Sequence, residues 1–299
     1  MKFSKPSLSI DDQINRLQHR GMIINDVPKA RHYLSHVSYY RLRAYWLPFE
    51  FPAENDGDHA FIAGTSFNDV LSLYVFDRQL RLHIMDAIER IEVSFRGAWA
   101  HHLAMKYGSH GYLDAAIYGR ADYYAKAFAS LIDEIGKSKD TFIVHYRAKY
   151  DDPPQPPIWM IAEILSLGQL SKWYGNLKHR SDRQAIAKTY GLDEKVMVSL
   201  VHHIAYVRNI CAHHGRLWNK QFIVTMSVPA SPTAIKLAMN ATEKRRLYNS
   251  LVALGYLIKI AAPDSEWRQN LIALVDSCPL AAPQEMGFPD NWRTLTFWQ

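Results

Sequence analysis

The chain has 299 residues, of which 48% are hydrophobic and 21% charged, values that fit a globular protein and disfavour a disordered one. Gly and Pro together supply 28 residues, below the roughly 12% average, which disfavours a turn-rich all-β protein. The 35 basic and 29 acidic residues leave a net charge of +6, which permits an anionic partner without demanding one.

In chain order, apolar periodicity predicts helices over about 10–20 and 27–36. Residues 69–107 read as one long helix, or two with a soft joint, with Val70, Leu73, Tyr74, Leu80, Ile84, Ile88, Ile91 and Phe95 at three- and four-residue spacing. Gly97 is its only internal glycine, and Gly108 suits its C-cap. Further helices are expected at about 120–137, 140–149, 158–176, 181–190, 193–214, 242–261 and 264–276. The only strand candidates are the short runs 222–227 and 294–297. Breaks fall at 48–64, at the proline-rich 151–157 and at 229–232. The expected organisation is all-α: an N-terminal helical extension over 1–60, then a helical body over 61–299.

Cys211 and Cys278 are the only cysteines, which excludes a disulfide scaffold and every four-cysteine zinc site. A reducing cytoplasm is therefore the expected location. No apolar run approaches the roughly 20 residues of a membrane span, and residues 1–11 carry no apolar core of a secretory signal. Neither a metal nor another cofactor is expected: there is no HExxH and no CxxC, and the adjacent pairs His202-His203 and His213-His214 point to different sides of a helix.

The densest polar cluster runs from Tyr206 to Asn219, with Arg208, Asn209, His213, His214, Arg216 and Asn219. On a helix Asn209 and His213 share a face. Arg208 lies about 140° round from His213, so its side chain must lean over to reach the same pocket. These types suit metal-free RNA cleavage. A histidine can take the proton of a 2′-hydroxyl. A guanidinium can hold the phosphorane that follows by bidentate hydrogen bonds. The alternative is a helix C-terminus whose His and Arg serve the last carbonyls.

Glu92 and Arg96 stand at i and i+4, either as an ion pair or as a support beside the 208–213 cluster. Arg96 to His101 repeats the arginine–histidine spacing, but Gly97 replaces the polar second residue. The aromatic–basic stretch His32 to Trp46 either packs on a neighbouring helix or stacks on bases, with Tyr40, Arg41 and Arg43 as candidate RNA contacts. The runs 178–183 and 243–246 read as solvated faces that could extend a phosphate track. Cys211 reads as a small packing residue.

Arg208-Asn209-Ile210-Cys211-Ala212-His213 has the Arg, polar residue, spacer, His pattern of HEPN ribonucleases, and RNICAHHGRLWN resembles the Abi-like proteins of bacterial abortive infection, the AbiD and AbiF group. Four other blocks agree in order: Ser38 to Phe49; Asp77 to Arg81 with Glu89 to Arg96; Pro157-Ile158-Trp159 with Glu163 and Gly168; and Met286 to Pro289 with Trp292. The resemblance implies a HEPN-like helical bundle and a phage-defence endoribonuclease toxin. Arg208, His213 and Asn209 would be catalytic, and Glu92, Arg96, His214, Arg216 and Asn219 supporting. It also implies RNA as substrate, a homodimer with the 208–213 helices facing, and a small structured RNA or a protein antitoxin as inhibitor. A non-catalytic RNA-binding module on the same fold is the alternative.

Overall fold

The computed structural model describes residues 6–51 and 59–299. Among these the chain forms thirteen α-helices and no strand, so the all-α expectation holds. The described chain divides into two compact units, one of residues up to 80 with 273–282, the other of 81–272 with 283–299.

The first unit contains α1 (Ile10–His19), α2 (Val27–His36), α3 (Tyr39–Trp46) and the beginning of α4 (Phe67–Tyr107). Ser9 and Asp26 start α1 and α2 by accepting the amides of Asp12 and Lys29, which removes orphan donors. α1 and α2 pack together through Ile14, Leu17, Ala30 and Leu34. The sequence reading did not assign α3 as a helix. Its core side is Leu42, Tyr45 and Trp46, and the Tyr45 hydroxyl donates to the fully buried Asp77 at 2.7 Å. Residues 52–58 of the break expected at 48–64 lie outside the described residues.

The second unit holds the remainder of α4 and the helices α5 (Ala121–Lys137), α6 (Thr141–Lys149), α7 (Ile158–Ile164), α8 (Leu167–Gly175), α9 (Arg180–Lys188), α10 (Glu194–Ala212), α11 (Thr233–Ala238), α12 (Tyr248–Ala261) and most of α13 (Trp267–Asp276). α10 packs against α8, α9 and α12, while α5 packs on α7 and α8. α4 turns Ile84, Ile88, Ile91, Phe95, Trp99 and Leu103 inward. That packing leaves bare a stripe of α4 that includes Leu82, Glu89, Val93, Gly97 and His101. α4 ends at Gly108, whose φ of +81° only glycine adopts cheaply.

Three expectations are corrected. Residues 158–176 form two helices, because Ser166 and Gln169 close a capping box that starts α8. The helix expected from 242 begins at Tyr248, since Asn240 Oδ1 takes the amides of Thr242 and Glu243 and the Thr242 hydroxyl. Neither strand candidate forms: Phe222 trades backbone and side-chain bonds with Arg245, and 294–297 follows a 3-10 turn.

Candidate functional site

α10 buries Met197, Leu200, Val201, Ile204, Val207 and Cys211, and that inward face decides which of its polar residues face out. Asn209 and His213 are exposed and Arg208 is half-buried. The helix ends in a Schellman turn. The Gly215 amide donates to the Ile210 carbonyl at 2.8 Å and the His214 amide to the Cys211 carbonyl at 3.0 Å. His214 takes the left-handed position at φ +57°. Gly215 is required next, because a Cβ there would lie 2.9 Å from Ile210 Cγ2. Arg81 Nη1 of α4 donates to the Gly215 carbonyl at 3.3 Å and so ties the turn to α4. His213 thus sits at the C-cap, one residue before the left-handed bend.

Arg208 reaches back from α10 to a cavity of about 450 Å³ on the bare stripe of α4, lined also by Leu82, Glu89, Glu92, Val93 and Arg96. Glu92 is 8% exposed and accepts from Arg96 Nη2, which also donates to the Leu165 carbonyl at 2.8 Å. Arg96 Nε is buried without a hydrogen-bond partner. Asp86, also on the lining, pairs with Arg90 at 2.8 Å. With Asp86 and Glu92 committed to ion pairs, Glu89 and Arg208 are the lining charges without one among the described residues. Among the described residues the Arg208 guanidinium makes one long bond, 3.4 Å, to Asn209 Oδ1. The structure therefore joins Arg208, Glu92 and Arg96 on one cavity, and Asn209 is not on its lining. His213 does not line the cavity.

The other expected residues are not on the lining of this cavity. Asn219 adopts φ +49°, and its Oδ1 accepts from Arg246 Nη1 at 2.8 Å, a bond that shapes the loop beyond the motif. His214 is exposed and Arg216 half-buried. Tyr40, Arg41 and Arg43 are exposed on α3, with Tyr40 at 84%, while Tyr45 and Trp46 of the same stretch are core. Cys211 is 4% exposed. The two basic runs are not simply solvated. Arg183 donates to Glu194 at 2.7 Å, and Arg246 is held by Asn219.

Two buried polar constellations carried no local sequence signal. Asp182 is 1% exposed and accepts from Lys106, from Tyr107 at 2.6 Å and from His102 at 2.9 Å. Burial alone would push its carboxyl up, but these three bonds hold it below the usual carboxylate range. His203 is 1% exposed, bonded through Nδ1 to the Val224 carbonyl at 2.9 Å and through Nε2 to Ser250 Oγ at 2.7 Å. Only a neutral ring with its proton on Nδ1 satisfies both partners when the serine donates. Burial lowers its pKa to about 4. Among the described residues no cluster of three or more His, Cys, Asp or Glu could hold a metal, and no helix is long and apolar enough to cross a membrane.

A family described as Abi-like protein matches residues 32–219, well over half of the chain and inclusive of every residue of this site. No curated protein and no solved structure is significantly similar to the chain.

Proposed function

We propose that this chain, which belongs to the Abi-like family, is a metal-independent endoribonuclease of abortive infection. Family membership supports the defence role. The observation that carries the nuclease reading is the half-buried Arg208, lining an open cavity with the Glu92–Arg96 pair, while Asn209 beside it and His213 at the end of the helix stay exposed. A guanidinium in that position can donate to two phosphate oxygens and stabilise the extra charge of a phosphorane. Glu92 neutralises Arg96 and fixes it, and Arg96 in turn is anchored to the Leu165 carbonyl. The Arg208 partner, Asn209, orients the arginine head. His213 takes the proton of the 2′-hydroxyl or returns one to the leaving 5′-oxygen. The products are a 2′,3′-cyclic phosphate and a 5′-hydroxyl.

One copy offers a single histidine in the motif, and acid–base cleavage uses two proton transfers. His213 also lies off the Arg208 cavity of its own chain. Both facts favour a site assembled from two copies, with the ends of α10 facing. They equally favour the second reading, a binding module that holds RNA and does not cut it.

The test is incubation of wild type, Arg208→Ala and His213→Ala with total RNA and a tRNA panel in EDTA, followed by mapping of product ends. Cleavage by wild type with cyclic-phosphate ends, reduced at least about a hundredfold in each variant, is expected. Cleavage retained in both variants sinks the assignment. Salt-sensitive binding with no cut in any of the three supports the binding module.

A further inference from the structure

A second cavity, of about 250 Å³, opens on the same stripe of α4 and shares Arg96 with the first. Its floor is small: Gly97, Ala100 and Ala104 of α4, with Ala162 of α7. Its walls are Trp159 and Glu163, at i and i+4 on α7, and His101 on α4. The chain has eight tryptophans, and seven of them are at most 6% exposed; Trp159 is 51% exposed. A Cβ on Gly97 would meet nothing within 4 Å. A glycine in mid-helix costs about 1 kcal/mol relative to alanine, and here no neighbour's packing demands it. The groove is thus kept open at a stability cost, beside the one tryptophan the core does not use.

We propose that this groove is a nucleobase subsite that holds an unpaired base of the RNA next to the Arg208 cavity, an inference that rests on the nuclease reading above. A lining of small side chains beside an exposed indole can take a planar ring by stacking, the interaction by which proteins hold unpaired bases. The volume is below the roughly 300–1,000 Å³ of drug-sized pockets and suits one base. Arg96, on both linings, joins the base groove to the Arg208 cavity. Glu163 is an acceptor with two oxygens, so it favours a base edge with two adjacent donors. Guanine presents such an edge through N1–H and its exocyclic amine. Uracil presents a single N–H. The subsite therefore selects guanine over uracil, and Glu163 is its specificity-determining residue.

The test uses the full chain in EDTA with end-labelled 2′-O-methyl oligonucleotides, one of uridine only and one with a single central guanosine, which attack by a 2′-hydroxyl cannot cleave. Anisotropy follows binding, and tryptophan emission with acrylamide follows the groove, since Trp159 is the exposed indole. The guanosine oligonucleotide is expected to quench Trp159 and shield it from acrylamide. Trp159→Ala and Gly97→Leu are expected to weaken binding about tenfold, and Trp159→Phe to retain most of it. Gly97→Leu fills the groove with the indole intact, and melting curves verify that it folds. Glu163→Gln is expected to remove the preference for guanosine. Unchanged acrylamide access at saturation, wild-type binding by Gly97→Leu, or no binding of either oligonucleotide overturns the subsite. The two proposals fail separately. Binding in the groove without cleavage of native RNA sinks the nuclease and keeps the subsite; cleavage at unchanged KM in Gly97→Leu and Trp159→Ala does the reverse.

Discussion

His203 and His213 belong to the same helix segment, yet α10 buries the first and presents the second to solvent. His203 is useful because its protonation state is fixed by two partners and by burial. Its pKa, near 6.5 in the unfolded chain, falls to about 4 in the native one. The sign follows directly. Between those values the unfolded chain binds a proton that the native chain refuses, so stability falls as pH drops from about 6.5 towards 4. The contribution amounts to about 3 kcal/mol across that window and is flat above pH 7. His83, stacked on Trp267 and also lowered by burial, adds in the same direction. Asp182 acts lower, because its carboxyl sits below the usual range and its contribution is lost only as pH falls through it. Urea unfolding of wild type and His203→Gln at several pH values from 7.5 to 4.5 should therefore show a shallower slope in the variant, whatever its absolute stability. Equal slopes would mean that His203 does not set the pH dependence. At this scale the nearness of Glu92 and Arg96 to Arg208 was legible, whereas the place of His213 off that cavity was not. The Asp182 constellation was not legible: its partners stand 75 to 80 positions away, and nothing local marks them.

At the scale of elements, long amphipathic runs were read almost to the residue. α2 spans Val27–His36 against an expected 27–36, and α4 runs unbroken through Tyr107. Periodicity is strong evidence where one face is apolar for many turns. It fails where a short helix carries aromatics on both faces, as in α3, or where a helix restarts in phase. The restart at α8 did have a signal, Ser166 three residues before Gln169, hidden by the apolar run that spans it. That cap matters for the site. Arg96 is anchored to the carbonyl of Leu165, the residue immediately before the cap, and Gln169 also donates to Glu134 of α5 at 2.7 Å. Ser166→Ala should cost about 1 kcal/mol of stability, read as a lower urea midpoint. It should also loosen the Leu165 carbonyl and with it Arg96, so RNA binding should weaken in proportion even where the variant is fully folded. A variant with the expected loss of stability and unaltered RNA affinity would separate the α8 cap from the site.

For the whole molecule, the net charge of +6 and the proposed two-copy site pull in opposite directions. Two positive copies repel, so dimerisation should strengthen with salt that screens them, whereas RNA binding should weaken as counterions compete. RNA between the copies removes that conflict by neutralising both. A site assembled from two copies makes a prediction that a site within one chain does not. If Arg208 of one copy works with His213 of the other and water carries the second proton, Arg208→Ala and His213→Ala, each inactive alone, should regain part of their cleavage when mixed, because about half of the dimers then carry one intact Arg208 and one intact His213 on opposite copies. The recovered rate should rise with protein concentration and vanish on dilution below the dimerisation constant, measured in parallel by sedimentation. Inactive mixtures of chains that sedimentation shows to exchange and pair would place Arg208 and His213 of one copy in the same active centre. The exposed His213 would then have to reach its substrate from outside the Arg208 cavity, through RNA that spans the C-terminal turn of α10.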